Sequence, residues 1–208
     1  MTEMLDIYDD NLVHVGVKER EAVHRDGDWH RVFHCWVIGR DAQGQPRIVV
    51  QRRAAEKDTF PNRFDVSAAG HYHAGESIRD GVREVEEELG IPVTFEQLIP
   101  VGLKIHTARY AGKIDREFSD VFFCVTDCTL SRFDYQREEV AGLVAFAIED
   151  GIALMAGERD SLQAEAVGLG ADTVTLRAGD FVPRPDQYVL KVLLTANRCL
   201  NGEKYLVV

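Results

Sequence analysis

The hydrophobic positions of this chain follow strand spacing in some stretches and helix spacing in others. HRVFHCWVIG (30–39) is rich in β-branched and aromatic residues, DAQGQP is a turn cluster, and RIVVQRR resumes the apolar run. Residues 29–50 therefore read as strand, turn, strand. KDTFPNRFD (57–65) reads as a loop, and the small, Gly-bearing VSAAGHYHAGE (66–76) as a short strand followed by a tight loop. A helix is predicted next. Ile78, Val82, Val85 and Leu89 form one apolar stripe, with Ser77 as N-cap and Asp80 completing a capping box. Gly90 is its C′ residue and Pro92 blocks continuation. Gly81 in its interior should cost about 1 kcal/mol relative to alanine. Strands are predicted around 97–106 and 118–126, separated by the polar connection ARYAGKIDRE, and again at 140–147 and 173–176. A helix is predicted near 149–156. A terminal helix is predicted over 184–200, with Pro185 in its first turn and Gly202 at its end. This order, β-rich, helix, β-rich, helix, is α+β rather than a regular βαβ alternation.

Composition places these elements in an ordinary globular protein. The 208 residues are 45% hydrophobic and 28% charged, which excludes a disordered or collagen-like chain and suffices for a real core. One domain is expected over 1–208: a core at about 29–160, an N-terminal extension 1–28, and a C-terminal helical extension at about 161–208. The net charge of −11 argues against polymeric nucleic acid as a partner. It leaves room for a small phosphate ligand held by something locally cationic, such as a metal ion. The acidic N-terminus lacks the apolar region of a signal peptide, and no run approaches the roughly 20 apolar residues of a membrane span. Cys35, Cys124, Cys128 and Cys199 lack zinc-site spacing and read as reduced thiols, so a cytoplasmic location is expected.

The charge is concentrated in one segment. Glu76–Glu96 holds seven acidic residues and two arginines, nearly half the net charge in about a tenth of the chain. At 100° per residue, Glu84, Glu87 and Glu88 share one face of the predicted helix, away from its apolar stripe. Like charges at i and i+4 repel on a plain surface helix. A hard divalent cation reverses that penalty, because Mg²⁺ takes oxygen ligands and bridges carboxylates to substrate phosphates.

The surrounding residues resemble the Nudix box, G-x5-E-x7-R-E-U-x-E-E-x-G-U, with U a bulky aliphatic residue. R-E-V-E-E-E-L-G-I (83–91) matches every specified position of its second half, and Gly70 and Glu76 match the first. The spacer from Ser77 to Val82 is six residues rather than seven. The resemblance implies an α/β/α sandwich with a mixed sheet flanked by helices. It also implies a Mg²⁺ or Mn²⁺ site of Glu84, Glu87, Glu88 and the Gly70 carbonyl, with Glu76 paired to Arg83. Losing one helical residue would rotate Glu76 and Arg83 by about 100° relative to each other.

Beyond the box, HRDGDWHRVFHCWVI, VVQRRAAEKDTFPNRFDVSAAGH and DREFSDVFF look like the branch containing isopentenyl diphosphate isomerases and related hydrolases. In those isomerases a metal is held by residues matching His24, His30, His71, Asp115 and Glu117. Here His24 and His30 stand one residue closer together, which argues against that set forming. The isomerases also place a catalytic cysteine two residues before the histidine matching His71. This chain has Ala69 there, and alanine cannot transfer a proton.

The resemblance thus implies hydrolysis of a diphosphate linkage, in a nucleoside diphosphate derivative or similar small metabolite, by water attack at phosphorus. Glu87, Glu88 or Glu117 would supply the general base, and Glu117 could equally be a ligand. Arg83 is counted among the catalytic residues. Arg52 and Arg53 fall on opposite faces of their strand, so only one should reach the site. Phe60 and His71 are further substrate-contact candidates, with His73 nearby, while Trp36 and Phe64 read as core. The loops 54–65, 106–117 and 128–183 should set specificity. An isomerase and a catalytically weak ligand-binding or regulatory module remain alternatives. The partners expected are a small diphosphate and a second copy of the chain, with no membrane.

Overall fold

The computed structural model describes residues 2–110 and 112–208. β1 (Met4–Tyr8) and β2 (His14–Glu19) pair antiparallel and lead into α1 (Arg20–Asp26), which Gly27 ends in the left-handed conformation at φ 75°. β3 (Trp29–Arg40), β4 (Pro46–Arg53), β5 (Phe64–Asp65) and β6 (Ala68–His71) follow. Then come α2 (Arg83–Leu89) and the long hairpin of β7 (Leu98–Tyr110) and β8 (Lys113–Val125). β9 (Val140–Ala147), α3 (Ile148–Met155), β10 (Leu162–Val167), β11 (Thr173–Leu176) and α4 (Tyr188–Leu200) complete the order. Among the described residues, all eleven strands belong to one mixed sheet, in which β3 and β8 run parallel.

Alternation along β3 gives this sheet two apolar faces. Phe33, Cys35 and Val37 pack with Val85 and Leu89 of α2. Trp36 and Ile38 pack with Leu154 of α3 and with Val192, Leu193 and Ala196 of α4. The result is the α/β/α sandwich, with Trp36 and Phe64 buried in the core as expected. Among the described residues no helix is long and apolar enough to cross a membrane.

A fork in the sheet makes room for a site. From Val37 onward β3 pairs with β4, whereas Val32–Cys35 pair with β6, and β4 turns to β5 instead. Ser67 fills the fork: its hydroxyl accepts from the Val37 N–H at 2.7 Å and donates to the Val49 carbonyl. Arg53, Asp65, Ala69, Gly70 and His71, from the three diverging strands, line the cavity that opens there.

Several elements depart from the sequence expectation. The 77–89 helix is α-helical only from Arg83, and Asp80–Val82 form a 3-10 turn. Half of the capping box exists. Asp80 Oδ2 accepts from the Ser77 N–H and hydroxyl, both at 2.7 Å, which spends the hydroxyl that would have capped the helix. The connection ARYAGKIDRE is mostly strand, because cross-strand hydrogen bonds extend the β7–β8 hairpin through its polar residues; Ala111 lies outside the described residues. The terminal helix starts at Tyr188, not Arg184. Gln187 is left-handed at φ 57° and its N–H reaches the Arg184 carbonyl, so 184–187 form a tight turn. The two flanking segments also contribute strands to the sheet: β1 and β2 at one end, β10 and β11 at the other.

Candidate active site

The cavity has a volume of about 430 Å³, and two sets of ionisable side chains converge on it. The first set comes from α2. Glu84 and Glu88 are buried, while the Glu87 side chain is 53% exposed, and all three line the cavity. Glu88 Oε2 accepts from Gln51 Nε2 and from the Ala69 N–H, both at 2.9 Å. Burial, reinforced by the Glu88 and Glu87 charges, pushes the Glu84 carboxyl up to about 8 despite Arg83. Burial likewise raises Glu88 to about 7. A divalent cation would relieve both, since it stabilises the ionised forms. Gly70 is shaped for this group: a Cβ there would overlap the Glu84 carboxylate. The donor set therefore fits a hard oxygen-seeking ion such as Mg²⁺ or Mn²⁺.

The short spacer is absorbed by the 3-10 turn. Three residues at 120° and 2.0 Å each gain about 60° and about 1.5 Å over α-helix, which recovers most of one missing residue. Arg83 consequently meets Glu76 through Nε and Nη2, at 2.9 and 3.1 Å. Its remaining N–H groups go to the His71 carbonyl at 3.0 Å, Glu84 at 2.5 Å and Glu87 at 3.0 Å. All five donors are thus spent within the protein, and Arg83 does not line the cavity. Arg83, expected among the catalytic residues, is thus tied to the loop and to the α2 carboxylates.

The second set joins α1, β3, β6 and β8. His24, His30 and His71 offer ring nitrogens within 4.8 Å of one another, and His30, Asp115 and Glu117 form an overlapping group on the same terms. The closer spacing of His24 and His30 does not prevent this: across the left-handed turn at Gly27 their ring centroids lie 4.9 Å apart. His24 Nδ1 donates to the Arg20 carbonyl at 2.8 Å, and His30 Nδ1 to the Asp28 carbonyl at 3.2 Å. Each ring therefore presents a bare Nε2 to the cluster, the arrangement of a metal-binding imidazole. Burial keeps both rings neutral, at about 4 for His24 and about 3 for His30. Asp115 is pushed up by burial and by Glu117. His30 Nε2 and Asp115 Oδ1 are 3.7 Å apart, buried, and without hydrogen-bond partners. Such atoms are costly unless a ligand completes them. This donor set also fits a divalent ion.

Of the remaining candidates, Arg53, Phe60, His71 and His73 line the cavity. Arg52 does not. Strand alternation turns it away from the cavity, and its Nε donates to the Asn62 carbonyl at 3.1 Å. Arg53 is held by the Thr59 carbonyl and hydroxyl, both at 3.0 Å. Phe60 faces Tyr110 across the rim, ring centroids 5.3 Å apart, so the 54–65 and 106–117 segments meet there. Lys57, paired with Glu139, and Arg184 also line the cavity. Lys57 is marked in the sequence only by its place in the 54–65 loop, and Arg184 by nothing, since it reaches the site through long-range folding.

A NUDIX domain model matches residues 28–164. An uncharacterised Nudix hydrolase of Clostridium acetobutylicum is 38% identical over 200 residues, covering 93% of this chain and 96% of that protein. An isopentenyl-diphosphate Delta-isomerase of Saccharopolyspora erythraea is 29% identical over 198 residues, covering 90% of this chain and 98% of the other. Among solved structures, the DR0079 protein of Deinococcus radiodurans superposes with a TM-score of 0.56 at 24% identity, covering 74% of this chain and 90% of that one, a likeness of fold. The chain therefore belongs to the Nudix hydrolase family, enzymes that act on phosphorus-containing anhydrides and generally work with divalent metal ions.

Proposed function

We propose that this protein cleaves the diphosphate linkage of a nucleoside diphosphate derivative or similar small metabolite, by attack of water at phosphorus. The observation that carries the reading is the convergence of the α2 carboxylates and the histidine–carboxylate cluster on one cavity. Glu84, Glu87, Glu88 and the Gly70 carbonyl would hold Mg²⁺ or Mn²⁺, and His24, His30, His71, Asp115 and Glu117 a second ion. Bound there, such ions neutralise charge on the phosphate oxygens and acidify the attacking water. Glu88 is tied down by two hydrogen bonds, which favours Glu87 or Glu117 as the group that takes the proton from water. Arg53 and Lys57 provide fixed positive charge for the diphosphate, and Phe60 an apolar rim.

The second cluster resembles the isomerase metal site and so favours an isomerase as the alternative. Ala69 weighs against it, and none of the four cysteines lines the cavity. Incubation with Mg²⁺ and a panel of nucleoside diphosphate derivatives and isoprenyl diphosphates separates the readings. Phosphate-bearing fragments, reduced about a hundredfold or more in Glu88→Gln, are expected. Rearranged isoprenyl diphosphate without cleavage would overturn the hydrolase reading. Tight binding without turnover in Mg²⁺ or Mn²⁺ would favour a ligand-binding module.

A further inference from the structure

Arg184 takes no part in the chemistry above, yet it lines the same cavity. The tight turn before α4 places it there, outside the span matched by the NUDIX domain. Its side chain is only 9% exposed. Nη2 donates to Asp65 Oδ1 at 2.8 Å, and the guanidinium lies 5.3 Å from the centre of the Tyr188 ring. Its Nε is buried and has no partner. Lys104 approaches the same ring at 5.0 Å, with its side chain 5% exposed and its Nζ also unpartnered. Its nearest carboxylate, Asp186 Oδ2, is 3.7 Å away. Ser119, opposite Lys104 in the β7–β8 ladder, adds a buried hydroxyl without a partner. Asp65 is shared with Arg53, at 3.6 Å, and the Glu117 charge also acts on Arg184 and Lys104.

A buried donor left unpaired costs about 1–3 kcal/mol; Arg184 brings one to the cavity wall, and Lys104, on the same Tyr188 ring, and Ser119, its ladder partner, hold two more outside the cavity lining. An anionic group with several acceptor oxygens in the cavity would meet the Arg184 guanidinium, whereas hydrocarbon packed there would leave it desolvated. We propose that Arg184, backed by Lys104 and Ser119, forms an anion subsite that binds a terminal phosphate or carboxylate on the part of the substrate beyond the scissile diphosphate. This deepens the hydrolase reading and rests on it for the word substrate. It selects doubly anionic metabolites and rejects diphosphates with a purely hydrocarbon tail.

The test compares kcat/KM for three diphosphates of matched length, ending in hydrocarbon, carboxylate or phosphate. It uses the wild type, Arg184→Met and Lys104→Met, and adds calorimetric titration of inorganic phosphate into the metal-free protein. The wild type should prefer an anionic tail by at least about tenfold, with the two anionic arms showing which group is taken. Either variant should bring that ratio to near one and weaken phosphate binding about fivefold or more. A structural role for Arg184 would lower all three substrates together and leave the ratio intact, overturning the proposal. Should Arg184→Met not fold, Lys104→Met and Arg184→Lys carry the comparison. If no diphosphate is cleaved, the hydrolase reading fails, and the titration alone decides: phosphate binding lost in the variants supports the subsite, and its absence from the wild type overturns it.

Discussion

Gly70 shows how much a single position contributes when it has no side chain. Its backbone passes against Glu84, and a methyl group there would push the carboxylate away from its neighbours. Gly70→Ala should therefore lower Mn²⁺ affinity by about tenfold or more, read by titrating free Mn²⁺ by electron paramagnetic resonance. Unaltered affinity would detach Gly70 and Glu84 from the metal. His34 carries a different consequence. It is fully buried, its Nδ1 3.0 Å from the Tyr188 hydroxyl, and burial drops it to about 3. Unfolded, it titrates near 6.5, so between those values the unfolded chain binds the extra proton. The stability contributed by keeping His34 neutral is thus present above 6.5 and is lost as pH falls towards 3. Replacing His34 with Gln should flatten the fall in urea midpoint between pH 6.5 and 4.5, by up to about 1.4 kcal/mol per pH unit. At this scale the sequence marked residue types well and their partners poorly. Alternation separated Arg52 from Arg53, but nothing local says which one meets the cavity, or that Arg83 is consumed by five internal bonds.

Among elements, α2 and its approach are the most instructive. The apolar stripe located the helix and Gly90 its end, at φ 67°. The N-terminal turn was different because Asp80, Gly81 and Val82 wind as 3-10, which compensates for the short spacer. Gly81 is explained by packing. A Cβ there would come within 2.6 Å of the Tyr72 ring and 2.8 Å of the Phe33 ring. Gly81→Val should cost about 1–3 kcal/mol by overpacking, seen as a lower urea midpoint with an unchanged slope. A neutral effect would show that the turn yields easily. The segments missed in the sequence are those whose signal is weak for a physical reason. β2 reads HVGVKE with Val15 and Val17 exposed, since an edge strand buries little and so needs little apolar patterning. The β7–β8 hairpin runs on through polar residues because backbone hydrogen bonds, not side chains, hold it together.

For the molecule as a whole, the net charge of −11 is partly a site charge. Seven carboxylates between Glu76 and Glu96 include those facing the cavity, so an anionic ligand meets them productively only with divalent ions in place. Excess EDTA should reduce affinity for a diphosphate substrate by at least about tenfold and abolish turnover, measured by calorimetry and phosphate release. Full affinity without metal would contradict the arrangement proposed for Glu84, Glu87 and Glu88. The sequence alone determined the Nudix class, the layered α+β architecture and the carboxylate helix, because each is written in local spacing. Helical period puts three glutamates on one face, and strand period gives β3 two buried faces. Only the tertiary structure decided what those carboxylates work beside. The fork at Ser67, the meeting of His24, His30 and His71 with β8, and the arrival of Arg184 from the far end of the chain all join residues distant in sequence. No local pattern encodes such contacts; the pairing of the sheet's strands and the packing of its two covering layers bring them together.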